Sequence, residues 1–125
     1  MPISYRIDPS RALVLTEAWG SLTDADILAH KDRLLKDPAF RPSMVQLSDV
    51  RRVEDLQVTR DGVAAMVQHD VTHAVHRGGH RLAIVISLDV VFGMARMYQI
   101  MSEQNDSTVG VFRTMEEAMV WLGVE

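Results

Sequence analysis

Apolar and polar positions divide this chain into strand-length and helix-length segments that largely alternate. The most apolar segment, Arg81-Leu82-Ala83-Ile84-Val85-Ile86-Ser87, is rich in β-branched residues and does not alternate, as expected of a strand covered on both faces. Beyond Leu88 and Asp89, a helical pattern runs from Val90 to Glu103. There Val90, Met94, Met97 and Met101 recur at helical spacing while Arg96, Gln99 and Glu103 share the opposite side. A buried strand leading into a helix with a wide apolar face is half of a β-α-β unit, and the rest of the chain is organised around it.

Upstream, Ile3, Tyr5 and Ile7 alternate with polar residues, which predicts a first strand. Asp8-Pro9-Ser10-Arg11 suits a tight turn, so a second strand over Ala12 to Trp19 returns antiparallel. Gly20-Ser21-Leu22 breaks it, and Thr23 with Asp26 resembles an N-cap with an acidic first turn. The pattern from Asp24 to Lys36 is helical, with Ile27, Leu28, Leu34 and Leu35 inward and His30, Asp32, Arg33 and Lys36 mostly elsewhere. Asp37-Pro38 stops this helix.

Met44 to Leu47 predicts a short third strand ending at Ser48-Asp49, and Val50 to Val58 reads as a loop. Thr59 caps a helix over Arg60 to Arg77 with a core stripe of Val63, Val67, Val71, Ala74 and Val75, closed by Gly78-Gly79. Thr108 to Phe112 is a fifth strand, and Thr114 with Glu117 forms a capping box opening a last helix with Met115, Ala118, Met119 and Leu122 inward. This order predicts an α/β sandwich: an N-terminal hairpin, then β-α units, with five strands in a mixed sheet and about four helices.

With 125 residues, 47% of them hydrophobic, the chain suits one domain over 1–125 with a real core. The absence of cysteine removes disulfides, thiolate metal sites and cysteine nucleophiles together and suits a reducing cytoplasm. The opening residues lack a signal-peptide pattern, and no apolar run approaches the roughly 18 to 20 residues of a membrane span. A net charge of -4 argues against nucleic acid and anionic membrane surfaces as partners.

There is no phosphate-binding loop, no G-x-S-x-G elbow and no dinucleotide fingerprint. An enzyme reading and a cofactor therefore have no positive support. His69-Asp70-Val71-Thr72-His73 with His76 has metal-ligand spacing and resembles H-E-x-x-H, but Asp70 is one methylene shorter than that pattern's glutamate. On a helical wheel His69, His73 and His76 fall opposite the valine stripe, which predicts a solvated face. Asp49 and Asp89 belong at carboxyl ends of parallel strands, where α/β sheets place ligands. Their expected roles are nonetheless structural, Asp89 capping a helix and Asp49 holding turn amides.

The third helix is the best candidate for a functional face. Met94, Met97 and Met101, with Met115 of the last helix, offer an adaptable apolar surface. Phe92 falls on the outer side as an exposed aromatic, and Arg96 and Tyr98 add polar donors.

An opening hairpin, Gly20-Ser21-Leu22-Thr23-Asp24, Asp37-Pro38-Ala39-Phe40, a strand ending at Asp49, Gly93-Met94-Ala95-Arg96, and Val111-Phe112 followed by Glu117-Ala118 and Trp121-Leu122 together resemble the SpoIIAA-like proteins of the STAS superfamily. The likeness covers nearly the whole chain. It implies an alternating β-α sandwich in a bacterial cytosolic protein that works as a noncatalytic regulatory or interaction module, as anti-sigma-factor antagonists do. The SpoIIAA-like branch is also similar to CRAL-TRIO lipid-carrier domains. The phosphorylated serine of STAS antagonists has no counterpart in Asp55 to Gly62, where Thr59 is the candidate phosphoacceptor. The resemblance thus leads to a protein partner, including a second copy as a homodimer. The alternative is a carrier of a small hydrophobic molecule, with Arg96 or Tyr98 orienting its polar group.

Overall fold

A computed structural model describes residues 2–104 and 108–125. Among the described residues five strands form one sheet in the order β1-β2-β3-β4-β5. Strand β1 (Ile3–Asp8) pairs antiparallel with β2 (Leu13–Thr23), and β3 (Val45–Gln57), β4 (Arg81–Val85) and β5 (Thr108–Phe112) continue in parallel. The connections carry α1 (Asp24–Lys36), α2 (Arg60–Thr72) with the single turn α3 (Ala74–Arg77), and α4 (Asp89–Met101), and α5 (Met115–Leu122) closes the chain. This is the mixed α/β sandwich that the pattern predicts, with five α-helices among the described residues rather than about four because the second one breaks. Among the described residues no helix is long and apolar enough to cross a membrane.

The alternation of side chains along each strand sorts the core into two layers. Leu13, Leu47, Ala83 and Val85 face α5 through Ala118 and Leu122. Their neighbours turn to the other face, where Ala18 packs with Val91 and Ala95 of α4, and Leu82 packs with Val63, Met66 and Tyr98. Strand β4 is therefore covered on both sides, and burial of each of its large apolar side chains contributes about 1.5–3 kcal/mol before entropy is counted.

Three local readings need correction. The expected loop from Val50 to Val58 is the outer half of β3, which continues to Gln57 beside Trp19–Thr23 of β2. Register shifts at Glu17/Trp19 and Gly20/Ser21 accompany this overhang, and Gly20 supplies the positive φ that such an irregularity requires. The second helix breaks at His73, so its expected stripe fails at the far end. Val71 is 47% and Val75 95% exposed, while Met66 and Asp70 are buried in their place. Asp89 does not cap α4: Leu88 occupies the cap position without a side-chain bond, and the Asp89 carboxylate pairs with Arg113 at 2.8 Å.

The helix starts that the sequence announces are present. Thr23 and Asp26 bond reciprocally in a full capping box at α1. Thr114 accepts from the Glu117 amide at α5, although its hydroxyl donates to the Glu117 carboxylate instead of that carboxylate reaching back to the cap amide.

Candidate functional site

A cavity of about 140 Å³ lies between the sheet and the layer formed by α1, α2 and α4. Its walls are mostly aliphatic: Ala18, Leu22, Leu56 and Ile84 from the strands, Ile27 from α1, Val63 and Met66 from α2, and Val91, Met94 and Ala95 from α4. A cavity able to hold one water needs only about 10–15 Å³. This one is about ten times that volume.

Polar side chains enter the wall in two connected groups. Lys31 of α1 donates from Nζ to Asp70 Oδ1 of α2 and to the Tyr98 hydroxyl of α4, both at 3.0 Å. Tyr98 in turn donates to Asp70 Oδ2. Three helices thus meet through one buried ion pair and one phenol. Asp70 is 1% exposed and Lys31 8%, with the ammonium also 5.1 Å from the centre of the Tyr98 ring. Lys31 and Tyr98 reach the cavity wall, whereas Asp70 does not.

The second group is centred on the strand residues Thr16 and Gln46. Gln46 of β3 donates to the Thr16 hydroxyl at 2.9 Å, and its amide oxygen meets His80 Nε2 at 2.9 Å. His30 Nε2 completes the chain, 3.5 Å from Thr16 Oγ1 and 3.4 Å from Gln46 Nε2. Thr16, His30 and Gln46 line the cavity, giving it acceptors and donors on an otherwise apolar surface.

The proposed face on α4 divides across the helix. Tyr98 is buried and Met94 half-buried, both at the cavity, while Met97 and Met101 are half-buried against the adjoining cluster. Arg96 points outward and bonds Gln99, so it cannot orient a molecule in the cavity. Phe92 is 38% exposed under the Arg113 guanidinium, 5.2 Å from its ring centre. Met115 opens α5 in the opposite layer, packed against the other face of the sheet, and is not part of a continuous methionine surface.

The histidines do not share one solvated face. His69 turns inward, its Nε2 2.7 Å from Asp32 of α1, which is the main reason that carboxyl is held below the usual range. His73 stacks on His69 at 4.4 Å with Nδ1 on a backbone carbonyl, and His76 stacks on Phe40. Among the described residues no three His, Asp or Glu side chains form a group suited to a metal.

Thr59 caps α2, accepting from the Gly62 amide and donating to Asp24 Oδ2 at 2.7 Å. A phosphate there would face the Asp24 carboxylate. Asp49 holds Arg51 through both amide and guanidinium, and that arginine is the main cause of its lowered carboxyl pKa. Beside it an open groove runs past Trp19, Arg52 and Leu88 at the carboxyl ends of the strands.

Sequence reasoning missed Lys31, His30, Gln46 and Thr16 and weighed Asp70 only as a neighbour of the histidines. One signal was available: at i, i+3 and i+4, Lys31 and His30 share a face with Ile27 and Leu34, which places polar residues within the buried stripe of α1.

No protein-family model matches this chain, and no curated protein matches it in sequence. In three dimensions it is similar to an uncharacterized protein of the DUF3478 family from Shewanella loihica, which has a SpoIIAA-like fold. The match has a TM-score of 0.62 at 18% identity and covers 96% of this chain and 93% of the other. The fold is therefore SpoIIAA-like, as the resemblance implies.

Proposed function

We propose that this protein is a noncatalytic binding module and that its ligand is a small, largely apolar molecule enclosed between the sheet and α4. The cavity carries this reading. It is apolar enough to favour such a molecule over water, and its few polar groups stand together where they can orient one hydrogen-bonding substituent. The polar groups also bond mainly to one another, which suits holding a ligand better than transforming it. A chain without cysteine works equally well in a reducing cytoplasm.

The test is native mass spectrometry of the purified protein with solvent extraction of whatever dissociates. A near-stoichiometric small molecule is expected from the wild type and its loss from Ala95→Leu, which grows into the cavity. An empty wild-type protein, or equal loading of the variant, contradicts the reading.

A specific observation favours a second role for the same helix. Leu88, Val90 and Phe92 are 41%, 62% and 38% exposed around the start of α4, an apolar surface suited to a protein partner or a second copy of this chain. Phe92→Ala is then expected to weaken that association while leaving the fold and the cavity intact. Sedimentation across a concentration series reads it for a homodimer, and an unchanged profile together with unchanged partner capture would remove this role.

A further inference from the structure

Resting on the cavity being a binding site, we infer that its ligand is an uncharged molecule of about one ring, and that the Lys31–Asp70 pair enforces this neutrality. Size comes first. An apolar cavity near 150 Å³ accepts a benzene-sized guest, and this one is about 140 Å³.

Charge is the less obvious constraint. Lys31 places an ammonium on the cavity wall, and a lysine at the end of an apolar pocket ordinarily suggests an anionic head group. Here that ammonium is already matched. Asp70 lies 3.0 Å away with its side chain 0% exposed, and Tyr98 bonds both partners. A carboxylate entering beside Lys31 would bring the local charge to a buried net negative, and a ligand ammonium would do the reverse. Either leaves one buried charge uncompensated, which is far more costly than hydrogen-bonding a neutral group.

What the wall offers instead is hydrogen bonding without net charge. The Tyr98 hydroxyl, Thr16, Gln46 and His30 can meet an alcohol, phenol or carbonyl group, while Ile84, Val91 and Met94 enclose the ring. The pair also has a geometric role, because Lys31, Asp70 and Tyr98 come from α1, α2 and α4. The neutral pair that sets the selectivity also holds the three helices over the sheet.

Three probes of nearly equal size test this: benzyl alcohol, benzoate and benzylamine, titrated calorimetrically at pH 7 into the full chain. The wild type is expected to bind benzyl alcohol at least about a hundredfold more tightly than either ion, the scale of an unpaired buried charge. Asp70→Asn removes the carboxylate 3.0 Å from Lys31 and should bring benzoate to within about tenfold of the alcohol. Lys31→Met removes the ammonium 3.0 Å from Asp70 and should do so for benzylamine.

The two variants are independent, so one that fails to fold leaves the other and the wild-type comparison standing. Wild-type binding of benzoate or benzylamine as tight as that of the alcohol overturns the neutral-ligand inference while keeping the cavity as a binding site. Binding with unchanged selectivity in a folded variant overturns the assignment to the pair. No binding of any probe overturns the inference and the proposed function together.

Discussion

Replacing Lys31 with methionine tests whether three helices are held by one buried pair. Methionine keeps most of the side-chain length and its apolar contacts, so the change isolates the ammonium. Asp70 would remain 1% exposed, still accepting from the Tyr98 hydroxyl. Removing one partner of a buried pair costs about 3–5 kcal/mol, mostly for the charge left behind. A domain of this size has about 5–15 kcal/mol in total. At roughly 3–5 °C per kcal/mol for a chain of this length, Tm should fall by about 10–20 °C.

Adding Asp70→Asn to Lys31→Met removes the orphaned charge while keeping an acceptor for Tyr98. It should therefore recover about 2 kcal/mol relative to the single change. Urea unfolding followed by circular dichroism reads both values, with an unchanged m as the sign that only stability has moved. A loss below about 1 kcal/mol for Lys31→Met, or a double variant as unstable as the sum of the singles, refutes a buried and coupled pair.

Two further predictions concern other parts of the fold. A methyl at Gly62 would collide with the Asp24 carboxylate that bonds Thr59, so Gly62→Ala should cost about 1–3 kcal/mol in urea unfolding. Stability equal to the wild type would show that this junction of α1 and α2 is loose. Burial and then the hydrogen bond to Asp37 push the Tyr5 phenol up to about 12. Because the folded value exceeds the ordinary one near 10, this contribution is intact below about pH 10 and is lost as pH rises toward 12. An absorbance titration comparing the wild type with Tyr5→Phe checks it, and a Tyr5 signal titrating at the ordinary value contradicts it.

The opening hairpin, the alternation of strands and helices, and the helix starts were legible because local chemistry determines them. Thr23 with Asp26, Thr59 and Thr114 occupy the cap positions they announce, and Thr108–Phe112 forms the strand its composition predicts. The outer half of β3 was not legible because Val50, Val53 and Leu56 recur every third residue there. That spacing accompanies the register shifts between β2 and β3, whereas a regular strand repeats every second residue. The valine stripe of α2 misled for a similar reason: beyond the break at His73, valines no longer face the sheet, and Val75 is 95% exposed.

The cavity was half legible. Met94 follows from the apolar face of α4 and Tyr98 from its place there as a polar donor, and both line it. The polar wall does not follow from any one helix. Lys31 and Asp70 lie 39 residues apart and look like ordinary surface charges until the fold brings their helices together. Hydropathy gives no credit to a charge whose partner is distant in sequence, which is why the pair, and with it the neutral character of the site, emerges only in three dimensions.

The most direct test of the account is a methyl NMR titration of the protein with benzyl alcohol. The account predicts saturable shifts at Ile84, Val91 and Met94, which line the cavity, with Met115 and Met119 in the opposite layer unmoved. Unperturbed cavity methyls, or shifts that begin at Val90 on the outer side of α4, would contradict it.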